Sequence, residues 1–87
     1  DGAEFFNQAK QMKKPSLALR LLQSALRSDP YLLQNLEKDK RLVKMVAEET
    51  GYAAVVEEAA AKIKTLDAAR EARFKAIEQR REELKKR

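Results

Sequence analysis

Residues 16–30 read SLALRLLQSALRSDP, and this stretch decides the fold class. Leu17, Ala18, Leu21, Leu22, Ala25 and Leu26 are spaced i, i+1, i+4, i+5, i+8, i+9, which is a helical period. The stripe they make is about two residues wide, broader than a coiled-coil seam, so it predicts neighbours on both sides. Ala18 and Ala25, seven apart, would let another backbone approach closely. Arg20, Gln23, Ser24 and Arg27 form the polar remainder. Ser28-Asp29-Pro30 ends the helix, and Asp29 or Ser28 is placed to cap the next one.

Upstream, DGAEFFNQAKQMK (residues 1–13) predicts a first helix with Phe5, Ala9 and Met12 on one stripe and Phe6 beside them. Asp1 and Glu4 suit its positive end, and Lys10, Lys13 and Lys14 its negative end. Pro15 then breaks it. Downstream, a third helix is expected from Tyr31 to Glu48, with Leu32, Leu33, Leu36, Leu42, Val43, Val46 and Ala47 apolar. The charged run Glu37–Arg41 leaves two shorter helices as the alternative. Gly51 suits a left-handed helix C-cap. From Tyr52 one last helix should run to the end. Its first half, with Val55, Val56, Ala59, Ala60, Ile63 and Leu66, should dock on the earlier helices. Its second half holds only Phe74, Ile77 and Leu84, with Ala72 and Ala76, among dense charge. Such a helix would be about 50 Å long, so its far end should protrude or meet a partner. The expected architecture is all-α, antiparallel helical hairpins with a long protruding C-terminal helix. Residues 1–66 form the domain and residues 67–87 a charged basic extension.

Composition narrows the function. At 87 residues the chain is one small domain. It opens at Asp1 without Met, as expected of a piece of a larger protein. Without Cys or His it has no thiolate ligand, no imidazole base and no Ser/His/Asp triad. Two glycines cannot build a phosphate-cradling loop. The pairs Glu48–Glu49, Glu57–Glu58 and Glu82–Glu83 diverge by about 100° on a helix and do not converge as acid and base. Tyr31 and Tyr52 read as packing residues at helix starts. No enzyme activity, metal or cofactor is expected. No run is long and apolar enough to span a bilayer and no signal peptide opens the chain, so an intracellular location, cytoplasmic or nuclear, is expected. The last helix is too sparsely apolar to lie on a membrane.

Setting Pro30 on the closing Pro of the 34-residue tetratricopeptide consensus brings Ala18, Leu22 and Ala25 onto its Ala, Phe and Ala positions. Phe5 then takes the Leu position and Ala9 the Tyr position, while Phe6 and Gly2 depart from the consensus Gly and Trp. Residues 1–30 thus resemble a tetratricopeptide (TPR) unit with a good second helix and a degraded first one. Residues 31–64 resemble a second, divergent unit. Leu36, Val43, Val56 and Ala59 fall on its Trp, Tyr, Phe and second Ala positions, and Tyr52 and Lys64 replace the first small residue and the Pro. The long last helix is similar to the solvating helix that ends such arrays. The resemblance implies a scaffold that holds an extended peptide or a helix in a concave groove. Chaperone-binding members use a Gly-Asn pair and basic residues to grip a C-terminal carboxylate. Here Asn7 stands at that Asn position behind Phe6, and Ala3 replaces the leading Lys, so the clamp is incomplete.

The first functional expectation is a protein–protein interaction module with a groove between the first and third helices. Asn7, Lys10, Lys14, Lys38, Lys40, Arg41 and Lys44 are its candidate contacts to an acidic or C-terminal peptide, or a helix, of a partner protein. The second is nucleic-acid binding through Arg70, Arg73, Lys75, Arg80, Arg81, Lys85, Lys86 and Arg87, with salt-sensitive phosphate contacts. Residues 70–87 carry a net charge of +4, against +1 for residues 1–69. Phe74 is the single aromatic in that run and acidic residues are interspersed, so a solvated helix, or one continuing into a longer helix, is preferred over this reading. The third is homodimerisation of the last helix. Heptad placement there gives Ile63, Leu66, Arg70, Arg73, Ile77, Arg80 and Leu84, a seam with too much Arg for strong self-pairing.

Overall fold

The structure, a computed structural model, describes residues 1–86. Among them are five α-helices and no strand: α1 Gly2–Gln11, α2 Pro15–Ser28, α3 Leu33–Lys38, α4 Lys40–Val46 and α5 Tyr52–Lys85. A 3₁₀ turn, Pro30–Leu32, joins α2 to α3. The fold is all-α, with α1 and α2 in an antiparallel hairpin and α5 extending far beyond the rest.

The helix starts and stops have local chemical causes. Asp1 caps α1 by accepting from the Glu4 amide at 3.2 Å. Pro15 opens α2 at a position where its missing N–H costs nothing. Asp29 accepts from the Tyr31 amide at 3.1 Å and so starts the 3₁₀ turn. Asp39 accepts from the Leu42 amide at 3.1 Å and starts α4. This last cap decides the alternative left open at Glu37–Arg41: the segment is two short helices broken at Asp39, not one.

Helix α2 is the centre of the molecule. Ala18, Leu22 and Ala25 are fully buried, and α1, α4, α5 and the 3₁₀ turn all pack on this helix. The start of α1 lies against its end, where a side chain on Gly2 would meet the Ala25 carbonyl oxygen at 3.0 Å and Leu32 Cδ1 at 3.1 Å. Leu36, Leu42 and Val46 close the core from the third segment, and Val55 and Ala59 from α5.

Two apolar faces are rotated from expectation. In α1 the buried set is Gly2, Phe6 and Ala9, while Phe5 and Met12 are each 36% exposed. The helix turns Gly2 inward because only a residue without Cβ permits that approach, and Phe6 then shares its face. In α2 Leu19 is buried and Leu17 is 41% exposed, since Leu19 lies on the side that meets α5. Gly51 is left-handed, with φ 97°, but it stands at the start of α5 rather than at the end of α4, which stops at Val46.

Candidate functional site

The seven residues expected to line a groove are all exposed. Asn7 and Lys10 lie on α1, and Lys14 precedes α2. Lys38 ends α3, while Lys40, Arg41 and Lys44 belong to α4. Two of them are engaged within the chain. Arg41 Nη2 donates to the Lys10 carbonyl oxygen at 2.9 Å, tying α4 to the end of α1. Lys10 Nζ stands 5.3 Å from the Phe6 ring centroid, at cation–π distance. The geometry therefore brings Lys10 and Arg41 together as a structural clasp.

A cleft of about 550 Å³ opens elsewhere, between the end of α2 and α5. Pro30, Ala61 and Leu66 give it apolar walls, and Arg27, Glu58 and Lys62 its polar edge. Arg27 grips Glu58 through two hydrogen bonds, Nε to Oε1 at 2.9 Å and Nη2 to Oε2 at 3.4 Å. This hydrogen bonding holds the Glu58 carboxyl below the usual carboxylate range and raises the Arg27 guanidinium further. Lys62 Nζ donates to the Arg27 carbonyl oxygen at 3.4 Å, at the negative end of α2.

Just beyond the cleft a second clasp fixes α5 to the 3₁₀ turn. The Tyr31 hydroxyl donates to Asp67 Oδ1 at 2.8 Å, and the Arg70 guanidinium stands 5.8 Å from the Tyr31 ring centroid. The bond to Asp67 raises the Tyr31 phenol above its ordinary range. Tyr31 thus does more than pack at a helix start: it sets the last point at which the body holds α5.

Past Arg70 the helix is exposed on all sides through Lys86. Phe74, Ile77 and Leu84 are 59%, 53% and 63% exposed, large apolar side chains left more than half open to water. Of the candidate nucleic-acid contacts, Arg70 is committed to Tyr31, and Arg81 Nη1 lies 3.9 Å from Glu78 Oε1. Arg73, Lys75, Arg80, Lys85 and Lys86 are exposed, and Arg87 lies outside the described residues. These cations are plain in the sequence, and the heptad placement already sets Arg70, Arg73 and Arg80 in line with the apolar residues. At 3.6 residues per turn, Val55, Ala59, Ile63, Leu66, Phe74, Ile77 and Leu84 all fall within an arc of about 100°. Arg70, Arg73 and Arg81 fall inside that arc, and Arg80 at its edge.

Among the described residues no group of three Asp or Glu side chains is arranged to hold a metal ion, and no helix is long and apolar enough to cross a membrane. The chain matches no family model, and no curated protein and no solved structure is significantly similar to it.

Proposed function

We propose that the chain is a non-catalytic protein–protein interaction module that binds a peptide or helix of a partner protein. The observation that carries this reading is the uncovered line of Leu66, Phe74, Ile77 and Leu84 on a helix that the body leaves unpartnered. Apolar side chains of that size, aligned on one face, cost free energy in water and gain it on association. The hairpin of α1 and α2, with Ala18 and Ala25 fully buried between close helices, supports the TPR-like reading of residues 1–30. The break at Asp39 departs from that pattern in residues 31–64. Of the seven basic and polar residues on and beside α1, α3 and α4, Lys10 and Arg41 are engaged within the chain, so this reading rests on α5 instead.

Nucleic-acid binding through the cations of residues 70–86 is the second reading, favoured by the exposure of Arg73, Arg80, Lys85 and Lys86. Glu71, Glu78, Glu82 and Glu83 lie among them and would repel phosphates. Affinity capture from native lysate separates the two, comparing the full chain with residues 1–69, each with and without nuclease. The module reading expects protein partners that survive nuclease and depend on residues 70–87. Capture lost on nuclease treatment would overturn it in favour of nucleic acid.

A further inference from the structure

We infer that the free face of α5 is built for one kind of partner: an amphipathic helix whose apolar seam is flanked by Glu or Asp. The inference rests on the interaction-module reading and names the chemistry of its partner.

The arc of α5 that docks on the core through Val55, Ala59 and Ile63 is the same arc that carries Leu66, Ile77 and Leu84 beyond it. Helices α2 and α5 run side by side in the same direction. Leu19 shares a cleft with Gly51 and Ala54, and further along Arg27 meets Glu58 and Lys62. α2 stops at Ser28, whereas α5 continues through Lys85. A second helix laid on the free arc would take the place α2 vacates. Its end would reach the cleft beside Pro30 and Leu66, which gives an apolar anchor somewhere to sit.

Arg73 and Arg80 interrupt the apolar line at a spacing of two turns, with Arg81 on the same face. A second copy of this chain fits that line poorly. Parallel pairing sets each Arg against its equivalent, and antiparallel pairing that matches Leu66 to Leu84 sets Arg70 against Arg80. A partner helix with carboxylates beside its seam instead pairs each Arg with an opposite charge, and the guanidiniums can accept carboxylates in bidentate fashion. The acidic residues of α5 reinforce this choice. Asp67, Glu71, Glu78 and Glu82 lie on one flank and Glu83 on the other, all outside the arc, so the Arg line faces the partner.

The test uses the full chain and two synthetic helical peptides of three heptads, both with Leu at the seam. One carries Glu at the flanking positions and the other Lys. Titration calorimetry at low and high salt is expected to show the Glu peptide binding at least about tenfold tighter than the Lys peptide, with the gap narrowing in salt. Ile77→Asp should weaken the Glu peptide by about tenfold or more. The double variant Arg73→Glu, Arg80→Glu should reverse the preference toward the Lys peptide. These residues are exposed, so circular dichroism should show the variants folded. Equal binding of both peptides, no binding of either, or an Ile77→Asp variant that binds unchanged would overturn the inference. So would sedimentation showing that the free chain already buries this face in a dimer. If the peptides fail but lysate capture still returns a nuclease-resistant protein partner, the partner chemistry is wrong and the module reading stands. If capture fails as well, both fall.

Discussion

The two halves of α5 are one uninterrupted helix with similar apolar spacing, yet they differ in everything that stabilises them. From Tyr52 to about Arg70 the helix rests on α2 and the 3₁₀ turn, buries Val55 and Ala59, and is clasped twice, by Arg27–Glu58 and Tyr31–Asp67. From Glu71 to Lys86 it has, among the described residues, its own backbone bonds and one surface ion pair, Arg81–Glu78. A free stretch of that length is marginal in water, because helices of about 12–15 residues gain too little to offset their nucleation cost. Helical pattern alone therefore does not decide what a segment is for. The docked half is fold. The free half is exposed on all sides through Lys86.

The largest effect should come from the core that the docked half covers. Leu22 is fully buried at the centre of α2, so Leu22→Ala should destabilise the chain by about 2–5 kcal/mol in urea unfolding. The matching truncation in the free half, Leu84→Ala, should change stability by less than about 0.5 kcal/mol. A similar loss at both positions would erase the distinction between the halves. Next in size is the turn that launches α5. Gly51 has φ 97°, so Gly51→Ala should cost about 1 kcal/mol, measured in the same way.

The clasps should give smaller, pH-dependent effects. Glu58 has a folded pKa below its unfolded value, so its contribution is present above the ordinary carboxylate range and lost as pH falls through the folded value. Glu58→Gln should remove that acid-side dependence. Tyr31 has a folded pKa above its unfolded value, so its contribution holds below the ordinary phenol range and disappears as pH rises through the folded value. Tyr31→Phe should abolish that alkaline loss, read as exchange of the amides around Asp67. The smallest effect should be deletion of residues 71–87, which lowers helical content in circular dichroism and leaves the unfolding midpoint nearly unchanged.

Much of this fold is legible in the residues. The helix over Ser16–Ser28, its start at Pro15 and the long uninterrupted run after Gly51 each have a local cause and appear where that cause puts them, whereas α1 already ends at Gln11, ahead of Pro15. Asp29 and Asp39 are readable as caps because a carboxylate two or three residues ahead of an amide can satisfy it. What local pattern does not decide is rotation. Phe5, Ala9 and Met12 match a helical stripe as well as Gly2, Phe6 and Ala9 do. The choice falls to the tight contact of Gly2 with α2, which exists only once the two helices meet. Leu19 is hidden for a related reason, since α2 is covered on more sides than one stripe describes.

The candidate face on α5 is half legible. Its cations and its few apolar residues both stand in the heptad placement, but that placement does not show that the body leaves the line uncovered past Arg70. Arg70, Arg73 and Arg81 share the arc of Leu66, Ile77 and Leu84, so the helix as a whole shows almost no preferred apolar side. The basic residues of α1 and α4 show their charge in the sequence but not their intrachain contacts. They are plentiful, yet Arg41 is committed to the Lys10 carbonyl and Lys10 lies over Phe6.

Amide hydrogen exchange along α5, measured on the full chain with and without the Glu-flanked peptide, tests the central claim most directly. The account predicts strong protection from about Val55 to Leu66 in both states. It predicts fast exchange from Glu71 onward in the free chain that slows when the peptide is added. Equal protection along the whole helix in the free chain, or no slowing in the distal half on addition of the peptide, would contradict it.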